Sequence, residues 1–175
     1  MDKQVGVMRE SMLKMHEQMH KIQMHKIEGP NFLATVKYLF RWALLAFGLH
    51  GLWEVAQLPL YTLWDDSNRR RVVLYLLHCL GGDVLIATTL FLLAAAIMRD
   101  FAWPIHWPWR GGIIVILSGL AYTGFSEWYN VYQRHSWSYT DAMPLVFGLG
   151  LTPLLQWIVV SALMVAVIGY RKRSA

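Results

Sequence analysis

Four long, mostly apolar stretches, at about 38–63, 72–97, 112–132 and 146–170, constrain this chain more than any other feature. A helix needs roughly 20 apolar residues to cross about 30 Å of hydrocarbon, and each stretch is long enough. A soluble domain of 175 residues has no core large enough to bury four such stretches. The composition agrees: 56% of residues are hydrophobic and the mean hydropathy is +0.35, above the ordinary range of a soluble domain. Nine Trp, eight Tyr and seven Phe suit a membrane protein, whose interfaces collect aromatic side chains. The expected fold is all-α: an integral membrane four-helix up-down bundle over residues 31–175, preceded by an amphipathic arm over residues 1–30.

The formal net charge of +5 does not imply nucleic acid, because the basic residues are dispersed over span ends and loops. Lys3, Arg9, Lys14, Lys21, Lys26, Lys37, Arg41, Arg99, Arg110, Arg171, Lys172 and Arg173 fall on one side of the expected topology. The other side carries only Arg69, Arg70, Arg71 and Arg134. The positive-inside rule then places both termini in the cytoplasm. Residues 1–30 lack the apolar core of a cleavable signal peptide, so the first stretch is expected to act as an uncleaved anchor. Cys79 is the only cysteine, which excludes an intrachain disulfide.

The connections are short, as antiparallel neighbours require. Asp65-Asp66-Ser67-Asn68 reads as a turn, and Phe101 to Trp109 as an interfacial stretch with Trp103, Trp107 and Trp109 at headgroup depth. The third connection, Tyr129 to Gly150, is the longest and is expected to fold over the outer mouth of the bundle.

In the arm, Met8, Met12, Met15, Met19 and Ile22 recur at alternating spacings of four and three, which is the seam of a coiled coil. His16 and His20 lie beside that seam one turn apart, and Met24 and His25 follow. Thioether and imidazole ligands suit copper, and thioethers suit Cu(I) in particular. Met12, Met15, His16, Met19, His20, Met24 and His25 are therefore candidate ligands for copper, or zinc. The same stripe also fits a packing seam or a membrane-surface helix, which would make residues 8–22 a site of protein docking or self-association.

Charged side chains at the bilayer centre cost roughly 2.5–3.5 kcal/mol each by insertion scales, so they are functional candidates by default. His50, Glu54, Gln57, His78, Asp83, Glu127, Asn130 and Gln156 form that candidate set. His50, Glu54 and Gln57 are spaced i, i+4 and i+7, on one helical face. Glu127 and Asn130 share a face as well, whereas His78 and Asp83 are five apart and diverge. In the up-down topology these residues reach a similar depth, on the side opposite the termini. Such a cluster could ligate a transition metal, relay a proton, or supply an acid and a base to a hydrophobic substrate. It could equally be a hydrogen-bonded network that fixes helix register.

Several of these residues sit in recognisable strings: His50-Gly-Leu-Trp-Glu-Val-Ala-Gln-Leu-Pro-Leu-Tyr61, His78-Cys-Leu-Gly-Gly-Asp83, Ser126-Glu-Trp-Tyr-Asn130, Ser136-Trp-Ser-Tyr139 with Met143-Pro144, and Pro153-Leu-Leu-Gln-Trp157. Over about residues 38–170 the chain resembles a family of small, functionally uncharacterised bacterial four-span membrane proteins, some of which occur alongside metal-resistance genes. That resemblance implies the fold and the inner-membrane location, and no reaction. Met12 to Ile22 resembles the Met/His-rich segments of copper and silver resistance proteins. Sterol-isomerase-like membrane enzymes share only the His50-x-x-x-Glu54 spacing. The leading expectation is transition-metal handling, with copper foremost. The alternatives are a membrane-embedded acid–base enzyme and an accessory subunit that docks through its arm.

Overall fold

A computed structural model of the chain describes residues 12–18 and 32–170. The chain divides into two compact units, Met1–Ala34 and Thr35–Ala175. In the first, residues 12–18 are helical and exposed. Met8, Met19, His20, Ile22, Met24 and His25, which complete the arm's proposed seam and ligand set, lie outside the described residues.

Four long helices follow: α1 (Phe32–Gln57), α2 (Arg69–Met98), α3 (Pro108–Trp128) and α4 (Leu151–Tyr170). Helix α1 ends at Gln57 rather than reaching residue 63 as the apolar pattern suggests. Pro59 explains the difference, because it has no N–H to donate and its ring opposes continuation of the helix. Two short 3₁₀ turns, Leu58–Leu60 and Thr62–Asp65, complete the connection to α2. Helix α2 is capped by Asn68, whose side chain accepts from the Arg71 N–H at 3.2 Å. Asp66 braces that cap, accepting from the Asn68 N–H at 2.8 Å and from Arg71 Nη1 at 2.9 Å.

A single helical turn, Trp103–His106, separates α2 from α3. Helix α3 begins on Pro108, where a missing N–H costs nothing, and runs on into a π-helical turn at Tyr129–Gln133. The fourth apolar stretch starts as a hairpin, not a helix: β1 (Leu145–Val146) pairs antiparallel with β2 (Leu149–Gly150). Its turn residues Phe147 and Gly148 have φ of 52° and 82°, the pair of positive angles that a two-residue hairpin turn of matching twist requires.

Among the described residues, three helices are long and apolar enough to cross a membrane: Thr35–Leu60, Arg69–Met98 and Leu151–Gly169. Helix α3 has 21 residues, but its glycines, Ser118, Tyr122, Thr123, Ser126 and Glu127 dilute its hydropathy. The outward surface fits hydrocarbon, with Leu44, Phe47, Leu52, Leu85, Ile97, Leu117 and Leu163 all exposed; a soluble surface rarely shows so much contiguous apolar area. The fold is all-α apart from the small hairpin, and the chain has the helices of a membrane protein.

The core centres on Trp42, Ala46, Ala87, Phe91, Trp103, Val115, Trp157 and Met164. Two of its indoles are satisfied: Trp42 Nε1 donates to the Ala87 carbonyl at 2.9 Å, and Trp103 Nε1 to the Phe91 carbonyl at 3.3 Å. Glycines let α3 approach these rings, since a Cβ at Gly111 would overlap the Trp103 ring and one at Gly119 the Trp157 ring. Far along the chain, two connections are stitched together. The Thr62 N–H donates to the Ser138 carbonyl at 3.0 Å and the Thr140 N–H to the Leu60 carbonyl at 2.9 Å, around a bridge between Tyr61 and Tyr139.

Candidate functional site

Three helices deliver polar side chains to one place. The i, i+4, i+7 face of α1 carries His50, Glu54 and Gln57; α2 supplies Asp83 and α4 supplies Gln156. His50, Gln57 and Gln156 are buried, while Glu54 and Asp83 are half-buried. Gln156 is the hub. Its Nε2 lies 2.9 Å from His50 Nδ1, 3.0 Å from Glu54 Oε1 and 3.1 Å from Asp83 Oδ2. Gln57 Nε2 donates to Glu54 Oε1 at 2.9 Å and reaches Gln156 Oε1 at 3.4 Å. Trp53 Nε1 completes the set by donating to Gln57 Oε1 at 3.2 Å.

The hydrogen inventory matters here. An amide nitrogen has two hydrogens, so Gln156 Nε2 cannot donate to all three neighbours at once. With both carboxylates served, His50 Nδ1 is left facing Asp83 Oδ2 at 3.6 Å. His50 Nε2 is buried without any hydrogen-bond partner, and the ring leans on Trp157 at a centroid distance of 5.1 Å. Among the described residues no Lys or Arg forms an ion pair with Glu54, Asp83 or Glu127.

Glu127, in the last turn of α3, forms a neighbouring site that interacts electrostatically with Glu54. The Tyr139 hydroxyl donates to Glu127 Oε2 at 2.5 Å and the Tyr61 hydroxyl at 3.5 Å. The Trp137 indole lies toward the same carboxylate without a well-formed hydrogen bond. Tyr139 lies outside the spans, and burial above all, then its bond to Glu127, pushes its phenol above the usual tyrosine range.

Between the end of α1 and the start of α2 lies a small, partly open cleft, with Glu54, Leu58, Tyr61, Tyr75, Leu76 and Trp137 among its walls. Glu54 thus belongs to both the network and the cleft.

Of the eight residues selected by sequence, His50, Glu54, Gln57, Asp83 and Gln156 converge, and Glu127 stands beside them. His78 does not join: it is exposed, because five positions turn it about 140° away from Asp83. Asn130 turns back on its own helix, donating to the Ser126 carbonyl at 2.9 Å. Tyr61, Tyr139, Trp53 and Trp137 also belong to the site, although the cost of a buried charge does not select them from the sequence. Among the described residues no group of three or more His, Cys, Asp or Glu side chains is arranged to hold a metal ion. In the arm, Met12, Met15 and His16 are exposed, and the other candidate ligands lie outside the described residues. No family model matches the chain, and neither a curated protein nor a solved structure matches it.

Proposed function

We propose that this chain is a bacterial inner-membrane protein that crosses the bilayer four times as an up-down bundle, with both termini cytoplasmic. In this proposal its His50–Glu54–Asp83–Gln156 network binds an exchangeable proton or small cation. One observation carries the proposal: two carboxylates lie within 3.1 Å of a single amide nitrogen, with no Lys or Arg paired to either among the described residues. Two unpaired negative charges so close repel strongly in a medium of low dielectric. A proton held by the pair, or a cation beside it, relieves that repulsion. The binding is one-sided. The cleft reaches Glu54, whereas the other end of the bundle is packed with Trp42, Phe91, Trp103 and Met164.

Infrared spectroscopy of the protein in lipid, taken as a function of pH, tests this proposal. We expect a protonated-carboxyl band that titrates and that changes in both Asp83→Asn and Glu54→Gln. Raising the sodium or potassium concentration should move the titration if a metal cation competes for the site. A folded protein with no titrating carboxyl band removes the proposal.

A second reading is transition-metal capture by the arm, with copper foremost. It is favoured by the exposed thioethers of Met12 and Met15 beside the exposed His16, three residues on one helical face that suit Cu(I). Metal analysis of purified protein with and without residues 1–28 tests it. Copper or zinc retained only by the full chain supports it, and background levels in both end it. Loss of a protein partner on deletion, with unchanged metal content, would favour a docking arm instead.

A further inference from the structure

We infer that the cleft between α1 and α2 binds an apolar organic cation, such as a protonated or quaternary amine on a hydrophobic body, with Glu54 as its counter-charge. This deepens the preceding proposal and rests on its assignment of Glu54 to an exchangeable cation site. Three features of the cleft select that chemistry. First, among the described residues its only acidic wall residue is Glu54 and no Lys or Arg lines it, so its charge is unbalanced. Second, Tyr61, Tyr75 and Trp137 contribute aromatic rings, whose faces attract cations, most strongly where water is excluded. Third, the remaining walls include Leu58, Leu63 and Leu76, which favour an apolar body over an inorganic ion that keeps its water.

The surrounding structure makes these features a fixed receptor rather than a chance gap. Gln57 and Gln156 both donate to Glu54 Oε1, at 2.9 and 3.0 Å, which holds the carboxylate in place. Trp137 sits between Ser136 and Ser138, and Ser138 is bound through its backbone to Thr62, so one aromatic wall is tied to the connection that supplies another. Because Glu54 shares Gln156 with Asp83, a cation in the cleft and a proton on the carboxylate pair would relieve the same repulsion. The two ligands therefore compete.

The experiment is equilibrium dialysis of benzyltrimethylammonium against the full chain in lipid nanodiscs, with empty nanodiscs as the blank. We expect one saturable site, weaker at low pH. Glu54→Gln should weaken it by about tenfold or more, and Tyr75→Leu, which keeps the carboxylate, by several-fold. Neopentylbenzene, the uncharged carbon analogue, should not displace the bound cation. No saturable binding above the blank, or undiminished binding to folded Glu54→Gln, overturns the inference. Equal displacement by neopentylbenzene also overturns it, since the cleft would then be an apolar slot for lipid chains. In each of those cases the infrared titration of the carboxylate pair still stands or falls separately.

Discussion

The Tyr139 hydroxyl donates to Glu127 Oε2 at 2.5 Å, so a residue from the connection after α3 satisfies a carboxylate in α3's own last turn. Tyr139→Phe leaves Glu127 with the longer Tyr61 contact at 3.5 Å. Hydrogen bonds to charged groups contribute about 1.5–3 kcal/mol, so unfolding in detergent, followed by circular dichroism, should show a loss in that range. The bond also sets a pH dependence. Burial, then the bond to Glu127, raises the phenol's pKa in the folded state. A raised folded-state pKa contributes stability that is fully present below the unfolded value, about 10 for tyrosine, and is lost as pH rises beyond it. Alkaline destabilisation should therefore begin near that pH and be weaker in Tyr139→Phe.

Gln156 and His50 should respond unequally to truncation, although they touch at 2.9 Å. Gln156→Leu strips a donor from both Glu54 and Asp83, and leaving buried charged partners unsatisfied should cost about 2–4 kcal/mol. His50→Leu removes a ring whose Nε2 is already unpartnered and frees the amide for the two carboxylates. Its cost should stay below about 1 kcal/mol. Parallel thermal melts check the order, and a His50 variant as damaged as Gln156→Leu would contradict it.

Gly119 is set by the Trp157 ring, which an added Cβ would overlap. Overpacking of this kind costs typically 1–3 kcal/mol. Gly119→Ala should lower the melting temperature, and Trp157→Leu in the same chain should recover part of the loss. Gly124→Ala is the control, because its added Cβ would meet only Leu149 Cδ1, at 3.9 Å.

The stitched connections fix an accessibility pattern. In a Cys79→Ala background, single cysteines at Ser67 and Ser138 should react with an impermeant maleimide from the same side of the membrane. A cysteine at His106 should react only from the other side in the proposed four-span topology. Labelling of all three from one side would rule out that topology.

The sequence marked the site through cost. His50, Glu54, Asp83 and Gln156 are expensive in an apolar stretch, and the i, i+4, i+7 spacing on α1 foretold their common face. The same cost marked His78, whose spacing of five from Asp83 pointed to divergence, and that side chain is exposed. Asn130 has its amide satisfied four residues back by Ser126 and needs no distant partner. The contacts of Tyr61 and Tyr139 with Glu127 were missed because the cost of a buried charge does not select a tyrosine, and a pairing across 78 positions leaves no local periodicity. The ends of the helices followed local chemistry that hydropathy does not weigh: Pro59 at the close of α1, and the Phe147-Gly148 turn before α4.

The backbone bonds joining Leu60 and Thr62 to Ser138 and Thr140 also impose an order on biosynthesis. When α1 and α2 have been made, the carbonyl of Leu60 and the N–H of Thr62 have no protein partner, because residues 138–140 do not yet exist. Buried backbone groups need partners, so these atoms must stay hydrated until residues 138–140 have been made. The first helical pair therefore waits in a provisional state, and the connection between its helices locks only after most of the chain has left the ribosome.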